Sequence, residues 1–260
     1  MKTTSYPLKT AVIDKMTIPF TVRLALNDEA PELSQLFKEL ISEITADLTD
    51  VDETFSPFKS TSLVTQFRAG DGSPLLTSTA FAEVFSLAQI ARQETDGYFD
   101  PFFDGNYNPT GLVKGWAINQ IFDQRLRPLL ADPAIVGVSL NGGGDIVVAI
   151  DEQTDFRWQV GIEDPFDDTM ILGQYELRNQ AIATSGISRR GEHIKRMRSS
   201  LQQVTIVSDT LVFADTWATA GMAAGTEMLL KLIAKYQLTG VLVDARRGQL
   251  HFSEGSVQSW

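Results

Sequence analysis

The stretch IVGVSLNGGGDIVVAI, residues 135–150, decides the class of fold. Two short β-branched runs, IVGVSL and DIVVAI, meet at Asn141, Gly142, Gly143 and Gly144, which reads as two strands joined by a tight connection. The glycines are as dense as in a dinucleotide-binding loop. However, the GxGxxG spacing that opens a helix is absent and a strand follows, so a Rossmann unit is excluded. Glycine here lets the backbone pass close to a ligand or another strand, and Asp145 is placed to hydrogen-bond a ribose or an adenine.

Outward from this hairpin, helical and strand patterns are interspersed without a strict βαβ alternation. On the amino-terminal side a strand over 17–26 carries alternating Ile18, Phe20, Val22, Leu24 and Leu26. A helix with Pro31 in its first turn follows, with Leu33, Leu36, Phe37, Leu40, Ile41, Ile44 and Leu48 on one face. Helices are expected near 62–68 and from Ser78, the first ending at a GDGSP turn over 70–74, and another from about Lys114 to Leu130. Residues 98–113 read as a structured loop. On the carboxy-terminal side, β-rich runs lie near 158–162, 173–177, 180–184 and 204–208, then helices at 211–223 and 226–236, and closing strands VLVDA and QLHF. This is an α+β fold with much antiparallel sheet, taken as a single domain over 1–260.

Composition removes whole classes of chemistry. The 260 residues include 22 Lys+Arg, 33 Asp+Glu, two histidines and no cysteine, a formal net charge of −11. Disulfides, thiolate nucleophiles, Fe–S clusters and Cys-bound zinc are excluded, and a multi-histidine metal site cannot be built. Any metal must be held mainly by oxygen, which points to a hard cation such as Mg²⁺ or Ca²⁺. So acidic a surface repels phosphate backbones, so no nucleic-acid partner is expected. The opening residues MKTTSYPLKTAVIDK lack the apolar run of a signal peptide, and no segment approaches a membrane span. The expected location is the cytoplasm.

Three further segments carry candidate chemistry. In FADTWATAG, residues 213–221, Asp215 and Thr219 are four apart and emerge one turn apart on one helix face, able to share a hard cation. The same spacing admits Asp215 as an N-cap and Thr219 as a buried helical threonine. In GLVKGWAIN, residues 111–119, two glycines flank Lys114 at an expected loop-to-helix junction, where amides, helix dipole and ammonium could meet phosphate. It is not a Walker A loop, and an ordinary helix start with an exposed lysine fits as well. In TDGYFDPFFDG, residues 95–105, aromatics stand among carboxylates, suited to a polar ring-bearing ligand or to anchoring a loop on the core.

Taken in order, these segments resemble the ApbE family of FAD:protein FMN transferases, some of which act as FAD pyrophosphatases. MTIPFTVRL (16–24) resembles the family's opening MGTPF-type strand, and FSPFKSTSLV (55–64) its "fS.y...Se" segment. TDGYFDPF resembles the "T-G-x-F-D" loop, NPTGLVKGWAIN the "DLGGIAKGYAVD" stretch, VSLNGGGDI the "GGDI" hairpin and AIATSG the "aiaTSG" strand. VTIV with FADTWATAGMAAG is similar to "VTV…ADALSTALFVLG". The resemblance runs over residues 16–225.

That resemblance implies a single-domain, T-fold-like layered α+β fold and Mg²⁺-dependent transfer of FMN from FAD to a threonine hydroxyl of an acceptor flavoprotein, releasing AMP. The acceptor would carry an Asp-x-x-[Ser/Thr]-x-[Ala/Ser]-Thr motif. By match, Asp215, Thr219 and the backbone carbonyl of Gly111 would hold the metal, and Met16, Phe58, Tyr98, Phe99, Asp100, Asn108 and Lys114 would contact FAD. Phe58 stands where the family has a flavin-stacking aromatic. Ala218 stands where some members carry a second acidic residue, and Asn108 where the family usually has aspartate. After TSG the family's "H-x-x-DPrTG" is replaced by ISRRGEHIKRMRSS, which keeps His193 but brings in Lys195, Arg196 and Arg198. That basic run would grip pyrophosphate or an acidic acceptor, or is a solvated loop. His193 and Asp215 are the candidate bases for the acceptor hydroxyl.

Overall fold

The computed structural model describes residues 6–28, 31–167, 169–187 and 200–259. Its strands are β1 (Leu8–Lys15), β2 (Ile18–Leu26), β3 (Ile135–Gly142), β4 (Asp145–Ile150), β5 (Trp158–Glu163), β6 (Ile171–Leu177), β7 (Gln180–Gly186), β8 (Leu201–Ser208), β9 (Thr239–Asp244), β10 (Gly248–Ser253) and β11 (Ser256–Ser259). The helices are α1 (Leu33–Phe55), α2 (Leu63–Arg68), α3 (Pro74–Thr77), α4 (Thr79–Glu94), α5 (Thr110–Ile121), α6 (Leu211–Ala224) and α7 (Thr226–Tyr236). Nine strands form one sheet in the order β1-β2-β3-β4-β7-β8-β9-β10-β11, and β5 with β6 form a separate two-stranded ribbon. All neighbours among the described strands are antiparallel, as the expected α+β class requires.

Side-chain alternation gives the large sheet two apolar faces. Phe20, Val22, Leu24, Val138, Leu140, Val147, Ala149, Ala181, Ala183, Val204 and Ile206 join the helices in the main core. Their sequence neighbours Ala25, Val148, Ile150, Ile182 and Val207 point the other way and pack under the β5–β6 ribbon with Trp158, Val160 and Ile162, joined by Val136 where the β2–β3 register shifts. Burial of Trp217, Phe20, Phe81 and Phe122, each below 2% exposed, supplies much of the drive for the helical layer.

Local signals set the element ends. Ser62, Ser78 and Thr210 each accept a hydrogen bond from a backbone N–H in the first turn of α2, α4 and α6. The β3–β4 turn is Gly143–Gly144, both at positive φ (62° and 97°), a two-residue hairpin that favours glycine twice over. The turn expected over 70–74 runs into the one-turn helix α3. The helix expected from Lys114 begins at Thr110, so Lys114 lies in its second turn and not at a loop-to-helix junction. Pro109 and Gly111 read as loop in sequence. In the structure Pro109 precedes the first turn, and Gly111 leaves room for the Phe99 ring, 3.1 Å from where a Cβ would stand.

Candidate functional site

The site is assembled where β4, α5 and α6 meet on the helical side of the sheet. Asp145 opens β4, and inward alternation puts its side chain on the same face as Val147 and Ala149. There it is 1% exposed and accepts a hydrogen bond from the Thr184 N–H at 3.0 Å. Across from it, the Lys114 ammonium pairs with Asp145 Oδ2 and lies 3.8 Å from Asp215 Oδ2. The lysine side chain is 20% exposed; both carboxylates are 1% exposed. Asp215 belongs to the second turn of α6, whose N-cap is Thr210, which disposes of the reading of Asp215 as a helix cap. One turn further on, Thr219 Oγ1 and Ser185 Oγ of β7 share a hydrogen bond at 3.3 Å.

Close packing of α5 on α6 makes this possible. Gly115 faces Asp215 so closely that a Cβ there would stand 3.2 Å from Asp215 Cβ and 3.2 Å from the Leu211 carbonyl. Gly111 lies one turn before Gly115 and so shares the face of α5 that meets Asp215. Asn119 fixes the other end of the contact, its Oδ1 accepting from the Leu211 N–H at 2.7 Å and satisfying an amide at the start of α6.

Electrostatics at this point are strained. Burial, and then the charge of Asp215, push the Asp145 carboxyl up to about 6, although Lys114 and the Thr184 N–H pull the other way. Among the described residues no cluster of three or more His, Asp or Glu is placed to hold a metal. The donors that do converge here, two carboxylates and the Thr219 hydroxyl, are hard oxygens and fit a small divalent cation that completes its shell from backbone carbonyl, phosphate or water.

The matched region spans this whole constellation: residues 106–242 fit the model of the ApbE family. The chain belongs to the ApbE family. Among solved structures it is similar to the flavin transferase ApbE of Vibrio cholerae (TM-score 0.76, 18% identity, covering 96% of this chain and 98% of that one). It is also similar to the flavinyl transferase ApbE of Pseudomonas stutzeri (TM-score 0.72, 18% identity, 98% and 96%) and to the ApbE protein of Thermotoga maritima (TM-score 0.76, 15% identity, 97% and 96%). At these identities the likeness is one of fold. No curated protein matches.

The other residues singled out for the ApbE resemblance fall in several settings. Met16, with Thr17, forms the β1–β2 turn at positive φ (50° and 63°), and the Gly143 N–H bonds to the Pro19 carbonyl, so this turn and the β3–β4 turn lie side by side. Asn108 accepts from the Thr110 N–H (3.3 Å) and hydroxyl (2.6 Å), an Asx turn leading into α5. Asp100 accepts from the Phe102 N–H at 3.0 Å and pairs with Arg92 at 3.2 Å. Tyr98 is half-buried against the core, whereas Phe99 is 4% exposed beneath the first turn of α5. Phe58 is 94% exposed just past the end of α1. His193, Lys195, Arg196 and Arg198 lie outside the described residues.

Sequence reasoning missed the role of Asp145. It was read as a partner for ribose or adenine, but its carboxylate is buried against Lys114 and the Thr184 N–H. The available signal was a carboxylate on the inward face of a strand whose next inward residues are Val147 and Ala149.

Proposed function

We propose that this ApbE-family protein transfers FMN from FAD to a threonine hydroxyl of an acceptor flavoprotein and releases AMP. The observation that carries the reading is the buried Asp145–Lys114–Asp215 cluster with Thr219 one turn away, lodged against the close packing of α5 on α6. A structural ion pair needs only one carboxylate; a second buried carboxylate beside the same ammonium supports a site that handles a cation and a phosphate together.

In this reading Asp215, Thr219 and the Gly111 carbonyl hold Mg²⁺, which when bound supplies Lewis-acid stabilisation of charge on the FAD diphosphate. Lys114 donates to the diphosphate, and Asp145 keeps the ammonium charged and aimed. The acceptor threonine oxygen forms a bond to the FMN phosphorus as the bond from that phosphorus to the AMP oxygen breaks. The threonine proton passes to a base, His193 or Asp215. Phe58, with its ring in solvent, covers the flavin, and Met16 and Tyr98 line its path. The single-domain organisation over 1–260 and a cytoplasmic location belong to the same proposal; among the described residues no helix is long and apolar enough to cross a membrane.

The test is incubation of the protein with FAD, Mg²⁺ and a protein bearing the Asp-x-x-[Ser/Thr]-x-[Ala/Ser]-Thr motif, followed by assay of AMP and of covalent flavin. Both products together support the transferase. AMP without labelling identifies an FAD pyrophosphatase, and neither product a flavin-binding protein without turnover. Phe58→Ala should raise the Kd for FAD roughly fivefold at unchanged stability, since aromatic stacking contributes on the order of 1 kcal/mol. A stability loss without an FAD effect would show that the phenyl is packing.

A further inference from the structure

We propose that the acceptor threonine arrives on an extended segment that lies in the cleft beside the β5–β6 ribbon, adding a third strand along the free edge of β5 and pairing its motif aspartate with Arg23. The inference rests on the transferase reading and deepens it, because it names the surface that receives the acceptor protein.

Among the described strands β5 pairs with β6 alone, and every residue of β5 from Trp158 to Glu163 lines a cleft of about 740 Å³. A strand that merely roofed the cleft would line it with alternate residues; an unbroken run means that β5 presents its edge, where backbone N–H and C=O groups have no strand partner. Its partner β6 lies towards β10, where the Gln249 amide donates to the Leu172 carbonyl at 3.3 Å, so the free edge of β5 looks the other way, over β2 and β3. There the floor is the outer face of the large sheet, with Arg23 opposite Ser139 and Ser139 opposite Val148. A chain laid on this floor extends the ribbon from two strands to three, and the six residues of β5 offer it about 20 Å of edge.

The floor also states what the segment must carry. Ser139 is 5% exposed and Arg23 stands exposed beside it, and neither side chain has a hydrogen bond or ion pair among the described residues. A guanidinium next to a hydroxyl suits a carboxylate, which accepts from both. At the far end, Phe166 is 66% exposed beside Asp164 and Asp167, whose carboxylates accept from the N–H groups of Phe166 (2.7 Å) and Thr169 (3.0 Å). An acidic residue is therefore received at the Arg23 end and repelled at the other, which gives the segment one direction. The cleft borders the site as well. Gly144 and Thr184 line it, while Asp145 follows Gly144 and accepts from the Thr184 N–H at 3.0 Å, so a chain leaving the cleft past the β3–β4 hairpin rounds the end of the sheet towards Asp145 and Asp215.

Hydrogen exchange of the full chain, read by mass spectrometry, tests this with an acceptor protein whose motif threonine is replaced by valine, so that the complex forms without turnover. Amides of Trp158–Glu163 should exchange at least roughly fivefold more slowly with the acceptor than without it, while those of β1, the edge strand of the large sheet, stay unchanged. Arg23→Glu should raise the KM for the threonine-bearing acceptor roughly tenfold with the Kd for FAD unchanged, and Arg23→Lys should keep most of the wild-type value. An acceptor with arginine in place of its motif aspartate should regain affinity for Arg23→Glu. Labelling of the acceptor by the wild type without protection of β5 would overturn the proposal while leaving the transferase standing, and so would equal KM values for the wild type and Arg23→Glu. Protection of β5 by FAD alone would make the cleft a nucleotide site, and protection that grows with protein concentration before any acceptor is added would make it an interface between copies; either overturns the proposal. Absence of both labelling and acceptor binding would overturn the proposal and the transferase reading together.

Discussion

Asp145 and Asp215 on one side, and Asp244 at the end of β9 on the other, are equally buried at 1% exposure, yet the protein treats them in opposite ways. Asp244 receives hydrogen bonds from the Ser200 hydroxyl (2.6 Å), the Thr226 hydroxyl, and the N–H groups of Arg246 (2.8 Å) and Arg247 (3.0 Å). Burial pushes its carboxyl up, but these donors outweigh burial and hold it down at about 2. Asp145 has the Thr184 N–H and Lys114, faces a second carboxylate, and is pushed up to about 6. The difference teaches how to tell a structural carboxylate from a working one. Asp244 is surrounded by hydrogen-bond donors that favour its charged form, while Asp145 and Asp215 face one another as two buried like charges beside the Lys114 ammonium.

The largest effect that separates the two regions should come from Asp215→Asn. AMP release from FAD in Mg²⁺ should fall roughly hundredfold or more, while the unfolding midpoint stays level or rises because a like-charge contact is gone. Loss of stability with activity retained per folded molecule would erase the contrast. Asp244→Ala should show the reverse pattern. Stripping the acceptor from four donors costs about 3 kcal/mol in chemical unfolding, with kcat unchanged in the folded fraction.

Those outcomes turn on features of unequal legibility. The hairpin at Gly143–Gly144, the helix starts near Ser62 and at Ser78, and the four-residue spacing of Asp215 and Thr219 were readable because each depends on neighbours in sequence. β1 and β11 were not: both are edge strands, β1 with only Ile13 buried, so their alternation is faint. The start of α5 was misjudged because Gly111 and Gly115 look like breakers. Their absence of side chains answers to Phe99 and Asp215, the latter a hundred positions beyond Gly115 in the chain. The pairing of Lys114 with Asp145 is of the same long-range kind, and nothing local to either residue announces it.

A pH titration sharpens the comparison more gently. The Asp244 carboxyl lies below its ordinary value of 3.8, so its stabilising contribution is complete above about pH 4 and is lost as pH falls from there towards 2. Urea midpoints of the wild type should therefore drop across that window by more than those of Asp244→Asn; parallel curves would show that the donors around Asp244 contribute no net preference for its charged form. The smallest expected effect lies on the working side. Asn119→Ala removes the 2.7 Å bond to the Leu211 N–H and should cost about 1 kcal/mol, with a modest rise in KM as α6 loses its anchor to α5. An unchanged KM would show that α6 keeps Asp215 in place without it.

The most direct measurement is mass spectrometry of a motif-bearing acceptor protein after incubation with FAD and Mg²⁺, run with the wild type and with Asp215→Asn. The account predicts an FMN adduct on the motif threonine and stoichiometric AMP with the wild type, and neither with the variant. An unmodified acceptor in the presence of the wild type, or equal modification by Asp215→Asn, would contradict it.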